Sequence, residues 1–143
     1  MAYRCKNYKL QELVSPLVYA ARGEEAWEML DEQLLRVIDR IADKFGPVII
    51  NNWMWGGRFD LRGLRHYVLD KPKCLKEGIW IDYGQHEPGR AVDMSFPKHT
   101  VKEVREYILA HPEEFPEIRG IEVAKGWLHI DVRNSLTVEV FNA

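Results

Sequence analysis

Between Asp31 and Phe45 the chain sets Leu34, Leu35, Ile38, Ile41, Ala42 and Phe45 at helical spacing, and this stretch constrains the fold most. Apolar residues recurring every three or four positions make a helix with one face that must be covered. Asp31 stands just ahead of them, where its carboxylate can accept from the free amides of the first turn. Gly46 and Pro47 follow and stop the helix. Most helical stability comes from packing that face, so later segments have to supply the rest of a core.

The C-terminal half supplies strands. Ala91–Phe96 is a short apolar run, and Ile118–Val123, Trp127–Val132 and Leu136–Phe141 follow one another across Ala-Lys-Gly and Arg-Asn-Ser breaks, the pattern of a β-meander. Ahead of the meander, Thr100 and Glu103 form a capping box for a helix with Val101, Val104 and Ile108 on its apolar face, ended by His111-Pro112. A shorter helix is expected over Glu24 to Leu30, and "PVIIN" at 47–51 reads as a buried strand. Helices first, then strands pairing in order, predict an α+β fold with a mainly antiparallel sheet and helices packed on one side. The 143 residues suit one domain, 1–143.

Composition excludes several classes. Hydrophobic residues make up 46% and charged residues 29%, which describes a globular chain. A net charge of −2 without a basic tract gives no reason to expect nucleic acid. No run is long enough to span a membrane, and the N-terminus lacks the apolar core of a signal peptide, so the expected location on synthesis is cytoplasmic. Cys5 and Cys74 are too few and too far apart for a disulfide framework or a zinc finger.

From Asn51 to about Ile79 the sequence is rich in Gly, Arg and aromatics and shows no steady period. Long irregular segments of this kind are often functional. Next comes "GQHEPGRAVDMSF", 84–96, with His86 before a turn at Pro88-Gly89 and Asp93 behind it at the start of a strand. In "WLHIDV" the period of two puts Leu128, Ile130 and Val132 on one face and Trp127, His129 and Asp131 on the other. That second face either lines a polar pocket or meets solvent.

The hairpin turn matters as well. If Lys125-Gly126 is a two-residue loop, Glu122 pairs with His129 and stands beside it. A three-residue loop would put Ile121 there instead and bury a carboxylate among Ile and Leu, which disfavours it. Two histidines and a carboxylate, His86, Asp93 and His129, with a fourth position open, form the ligand set of a catalytic zinc site.

These stretches resemble the zinc D-alanyl-D-alanine carboxypeptidase family, whose fold is shared by the Hedgehog signalling domain. Members carry a pattern like Ser-x-His-x-x-Gly-x-Ala-x-Asp and later Trp/Phe-x-His-x-Asp; here these read Gly84 to Asp93 and Trp127 to Asp131. The resemblance spans about Val48 to Val132 and is nearest to compact bacteriophage members. It implies Zn²⁺ on His86, Asp93 and His129, a catalytic carboxylate at Glu122, and Asp131 fixing a ligand histidine. The family's substrate arginine is not in its place; Arg58, Arg62 and Arg65, each equally readable as a surface charge, are the candidates to replace it, with Gln85 as a further candidate contact, and Trp53 and Trp55 either wall the cleft or cover the core.

Three positions depart from the pattern. Gly84 replaces the usual Ser, Gly126 stands where many members have the acid, and Met54 stands where the upstream arginine is common. The implied function is hydrolysis of a peptide bond in the peptidoglycan stem or cross-link. Such an enzyme would reach the wall after release from the cell or as part of a virion. A non-catalytic, zinc-stabilised binding or structural module of the same fold is the alternative.

Overall fold

The computed structural model describes residues 2–79, 86, 88–123 and 126–141. Among the described residues there are four α-helices: α1 (Pro16–Arg22), α2 (Glu32–Phe45), α3 (Lys71–Lys76) and α4 (Val101–Ala110). Four strands, β1 (Ala91–Met94), β2 (Gly120–Glu122), β3 (Leu128–Asp131) and β4 (Glu139–Phe141), form one sheet in the order β1-β3-β2-β4. The fold is therefore α+β.

The two strongly periodic helices form where expected, each by its own cap. Asp31 accepts from the Gln33 amide ahead of α2, and Thr100 and Glu103 close the capping box of α4. One face of α2 buries Leu34, Leu35, Val37, Ile38, Ile41 and Phe45. These share a core with Val92 and Met94 of β1, Ile121 of β2, Leu128 and Ile130 of β3, and Val104 and Ile108 of α4.

Elsewhere the local pattern misleads. Residues Gly23–Met29 wind as a 3₁₀ helix rather than an α-helix, and α1 precedes them, capped by Ser15 with Pro16 in its first turn. "PVIIN" forms only a single antiparallel bridge, Ile49 to Ser95.

The C-terminal meander is also corrected. β3 pairs antiparallel with β1 on one side and with β2 on the other, so both of its edges are taken. β4 instead crosses over to the free edge of β2 and pairs parallel to it. The sheet is therefore mixed.

Candidate metal centre

The register across the sheet lays out the site. Asp93 of β1 is paired with His129 of β3, His129 with Glu122 of β2, and Glu122 with Phe141 of β4. Directly paired residues project to the same face, so these four side chains stand in one row. Ala124 and Lys125 of the hairpin turn lie outside the described residues, but the register beside them is the one a two-residue loop requires. The polar face of β3 meets no solvent: His129 is 8% exposed and Asp131 0%.

His86 arrives from the loop ahead of β1. The Gly89 amide donates to the His86 carbonyl, and Gly89 has a φ of 73°. A side chain on Gly89 would collide with the Met29 carbonyl, so only glycine lets this turn lie against the Met29–Leu30 backbone. Gln85, the other expected contact on this loop, lies outside the described residues, as does Gly84.

The irregular stretch before α3 encloses the site from the other side. The Arg62 carbonyl accepts from the Asp93 amide, the Arg65 amide donates to the His86 carbonyl, and the Gly63 carbonyl lies 2.9 Å from His86 Nδ1. Asn51 holds this segment from behind, its Oδ1 accepting from the Arg62 amide and its Nδ2 donating to the Val14 carbonyl.

Together these elements bring His86, Asp93 and His129 so close that one ligand atom from each lies within 4.8 Å of the others. His86 Nε2 is 3.5 Å from Asp93 Oδ1, and His129 Nδ1 is 3.0 Å from the same oxygen. The remaining ring nitrogens are tied outward: His86 Nδ1 to the Gly63 carbonyl, and His129 Nε2 to Asp131 Oδ2 at 3.0 Å. That is the arrangement a metal-binding histidine needs, one nitrogen presented and the other oriented by an acceptor. This buried cluster can hold a metal ion.

Electrostatics agree with the geometry. Burial alone would raise the Asp93 carboxyl, but the His86 imidazole and hydrogen bonds from His129 and His86 outweigh it and hold it well below the usual carboxylate range. Burial would lower His129, yet its bonds to Asp131 and Asp93 push it up to about 9. Asp131 is desolvated too, and Arg133, then His129, bring it down to about 2. Two ionised carboxylates thus flank the imidazoles, Asp93 also paired with Arg65 and Asp131 with Arg133.

Glu122 stands beside His129 and is 7% exposed, and among the described residues its Oε1 is buried without a hydrogen-bond partner. Unpartnered buried carboxylate oxygens are costly and uncommon in a native fold.

A cavity of about 510 Å³ opens beside the cluster and touches it through Asp93. Its walls include Arg58, Arg62, Arg65, Phe59 and Trp127. The three arginines differ in what they have left to offer. Arg65 is committed, Nη2 to Asp93 Oδ2 at 3.3 Å and Nε to the Leu61 carbonyl. Arg62 stacks over Phe59 and donates from Nη2 to Ser95, while its Nη1 is buried and unpartnered among the described residues. Burial pushes the Arg62 guanidinium pKa down, which marks a cation short of a counter-charge. Arg58 lies against the Phe59 ring. Trp53 and Trp55 do not border this cavity: Trp53 donates to the Val14 carbonyl, and Trp55 is exposed.

Arg133 was missed in the sequence, although the alternation that pairs His129 with Asp131 continues to it. No protein-family model, curated protein or solved structure matches this chain. Its site is therefore read from its own geometry.

Proposed function

We propose that this protein is a zinc peptidase of the Hedgehog/DD-peptidase type that hydrolyses a peptide bond of the peptidoglycan stem or cross-link, in the setting of phage lysis or virion entry. One observation carries the reading: three converging buried donors, with Glu122, whose Oε1 has no hydrogen-bond partner among the described residues, paired beside His129 in the sheet.

The donor set fits zinc. Two imidazoles and one carboxylate with a fourth position open match catalytic sites, whereas structural zinc more often has four protein ligands. His86, Asp93 and His129 would hold the zinc, which when bound would supply a water of lowered pKa, from about 15.7 toward about 7, and Lewis-acid polarisation of the scissile carbonyl.

The chain's own residues do the rest. The Gly63 carbonyl and Asp131 keep the two imidazoles turned toward Asp93. Glu122 takes a proton from the attacking water and delivers it to the leaving amine, and its Oε1, without a hydrogen-bond partner among the described residues, is free to do so. Arg62, whose Nη1 has no hydrogen-bond partner among the described residues, is the arginine that receives a substrate carboxylate. Phe59 and Trp127 supply apolar walls.

Elemental analysis of protein purified without added metal, followed by a peptidoglycan-peptide cleavage assay on parent and Glu122→Gln, tests this. About one zinc per chain, cleavage by the parent and loss of cleavage in a zinc-loaded variant support it. Zinc without cleavage in either form identifies a zinc-stabilised module instead. No zinc, with none taken up on titration, removes the basis for both.

A further inference from the structure

Behind His129 and Asp131 lie Arg133 and β4, which the hydrolytic reading leaves unused. Asp131 is fully buried, and Arg133 grips both of its oxygens, Nε to Oδ1 at 2.7 Å and Nη2 to Oδ2 at 2.6 Å, while the Arg133 amide donates to Oδ1 at 3.2 Å. The same guanidinium lies 4.7 Å from the centre of the Phe141 ring and reaches Glu139 Oε2 at 3.3 Å, both on β4. Phe141 in turn meets the His129 ring edge-on, with centroids 5.6 Å apart. Gly120, paired with Asp131, leaves the space these groups fill.

A neutral surface would have sufficed to cover a strand end. A buried carboxylate held in one plane by a two-point guanidinium is instead a rigid acceptor, and its one remaining direction points to His129 Nε2. We infer that Arg133 is a positioning residue for the metal centre: with β4 it clasps Asp131 so that His129 keeps its Nε2 proton and presents Nδ1 to the metal. Asp131 touches the ligand, and Arg133 acts only through Asp131. The crossover that carries β4 back to β2 therefore serves the site, because it brings Phe141 and Glu139 against the clasp.

The consequence for metal affinity rests on the metal reading; the clasp itself does not. The test titrates Zn²⁺ and Co²⁺ into the parent, Arg133→Met and Arg133→Lys, and records the Co²⁺ absorption bands. In the metal-free proteins the His129 imidazole N–H signals are followed by NMR. Loss of an outer partner of a metal-binding histidine typically weakens metal binding about 10- to 100-fold, and Arg133→Met is expected in that range with shifted Co²⁺ bands.

Arg133→Lys keeps the charge but cannot hold two oxygens in one plane. It is expected to bind several-fold more weakly, and it decides the matter if Arg133→Met does not fold. Variants that fold and bind both metals as the parent does, with the same bands, overturn the inference. If the parent binds neither metal, the metal reading has failed, and the NMR signal judges the clasp alone. A His129 Nε2 proton slow to exchange in the parent and fast in the variants supports it, and equal exchange overturns it.

Discussion

Gly120→Ala is the sharpest single perturbation of this site that touches no candidate ligand. A Cβ at position 120 would lie nearest to Asp131 Oδ1, closer still than its 2.5 Å to Asp131 Oδ2 and 2.6 Å to Arg133 Nε, on a residue pair already locked together. Relief of the nearest of these contacts to an ordinary carbon–oxygen separation of about 3.3 Å needs a shift of about 1 Å. Asp131 is fully buried and bonded on three sides, so it cannot move that far without stretching its 3.0 Å contact with His129 beyond hydrogen-bond range.

Overpacking of this kind costs about 1–3 kcal/mol, and a weakened bond to a charged group falls in the same range, so about 2–3 kcal/mol is expected for the two together. For a chain of this size that lowers Tm by about 6–10 °C. Zinc affinity should fall about 10-fold, because the orientation of His129 is lost with the contact. Calorimetry on metal-free protein and a zinc titration read the two effects separately. A variant with Tm within a degree of the parent and unchanged zinc affinity would show that Asp131 does not pack against position 120, and the reasoning would fall.

Removing the metal with a chelator should lower Tm, and the drop should disappear in His86→Ala, which leaves two of the three donors; equal chelator sensitivity in both proteins would refute the ligand assignment. Glu122→Leu should abolish hydrolysis yet raise metal-free stability by about 1 kcal/mol, since it removes a buried carboxylate oxygen that has no partner among the described residues; denaturant titration that shows destabilisation contradicts this. Far from the site, Arg40 grips Glu117 with two bonds of 2.7 Å. Burial would raise the Glu117 carboxyl, but Arg40 holds it below its usual value, so the pair's stabilisation is present above the unfolded carboxylate pKa and lost as pH falls through the folded one. Arg40 is partly exposed, so Arg40→Ala should cost only about 0.5 kcal/mol at neutral pH. The gap between parent and variant should shrink below about pH 4, and a gap that persists in acid would assign the effect to packing.

What the sequence made legible was whatever is decided over a few residues. Asp31 and Thr100 cap helices because the groups they satisfy lie two and three positions away. The same logic was available at Ser15-Pro16, a cap followed by a first-turn proline, and reading it would have found α1. The pairing of Glu122 with His129 was also legible, because turn length and the cost of a misplaced carboxylate both select it. The place of β4 was not. Its alternation is compatible with a third meander strand, and only the occupation of both edges of β3 by β1 and β2 sends it elsewhere. That occupation depends on β1, some 35 residues upstream of β3, which no local pattern announces. Which arginine retains a free nitrogen was equally hidden, since it turns on Ser95, Phe59 and Leu61 claiming the other donors.

The row Asp93–His129–Glu122–Phe141 explains why so small a sheet can carry such a site. Strands of three and four residues bury little on their own, yet three crossing one line deliver a candidate ligand each from β1 and β3 and a candidate base from β2. Because side chains alternate, the neighbouring row, Val92–Ile130–Ile121–Val140, points the other way, and its first three members enter the core shared with α2. Register is therefore fixed twice over. A slip of one residue would expose the core row and at the same time bury the charged one among apolar groups, and each error alone costs several kcal/mol. The hydrophobic pattern that folds the sheet is thus the same constraint that holds His129 between Asp93 and Glu122, and precision at the metal centre follows from packing on the opposite face.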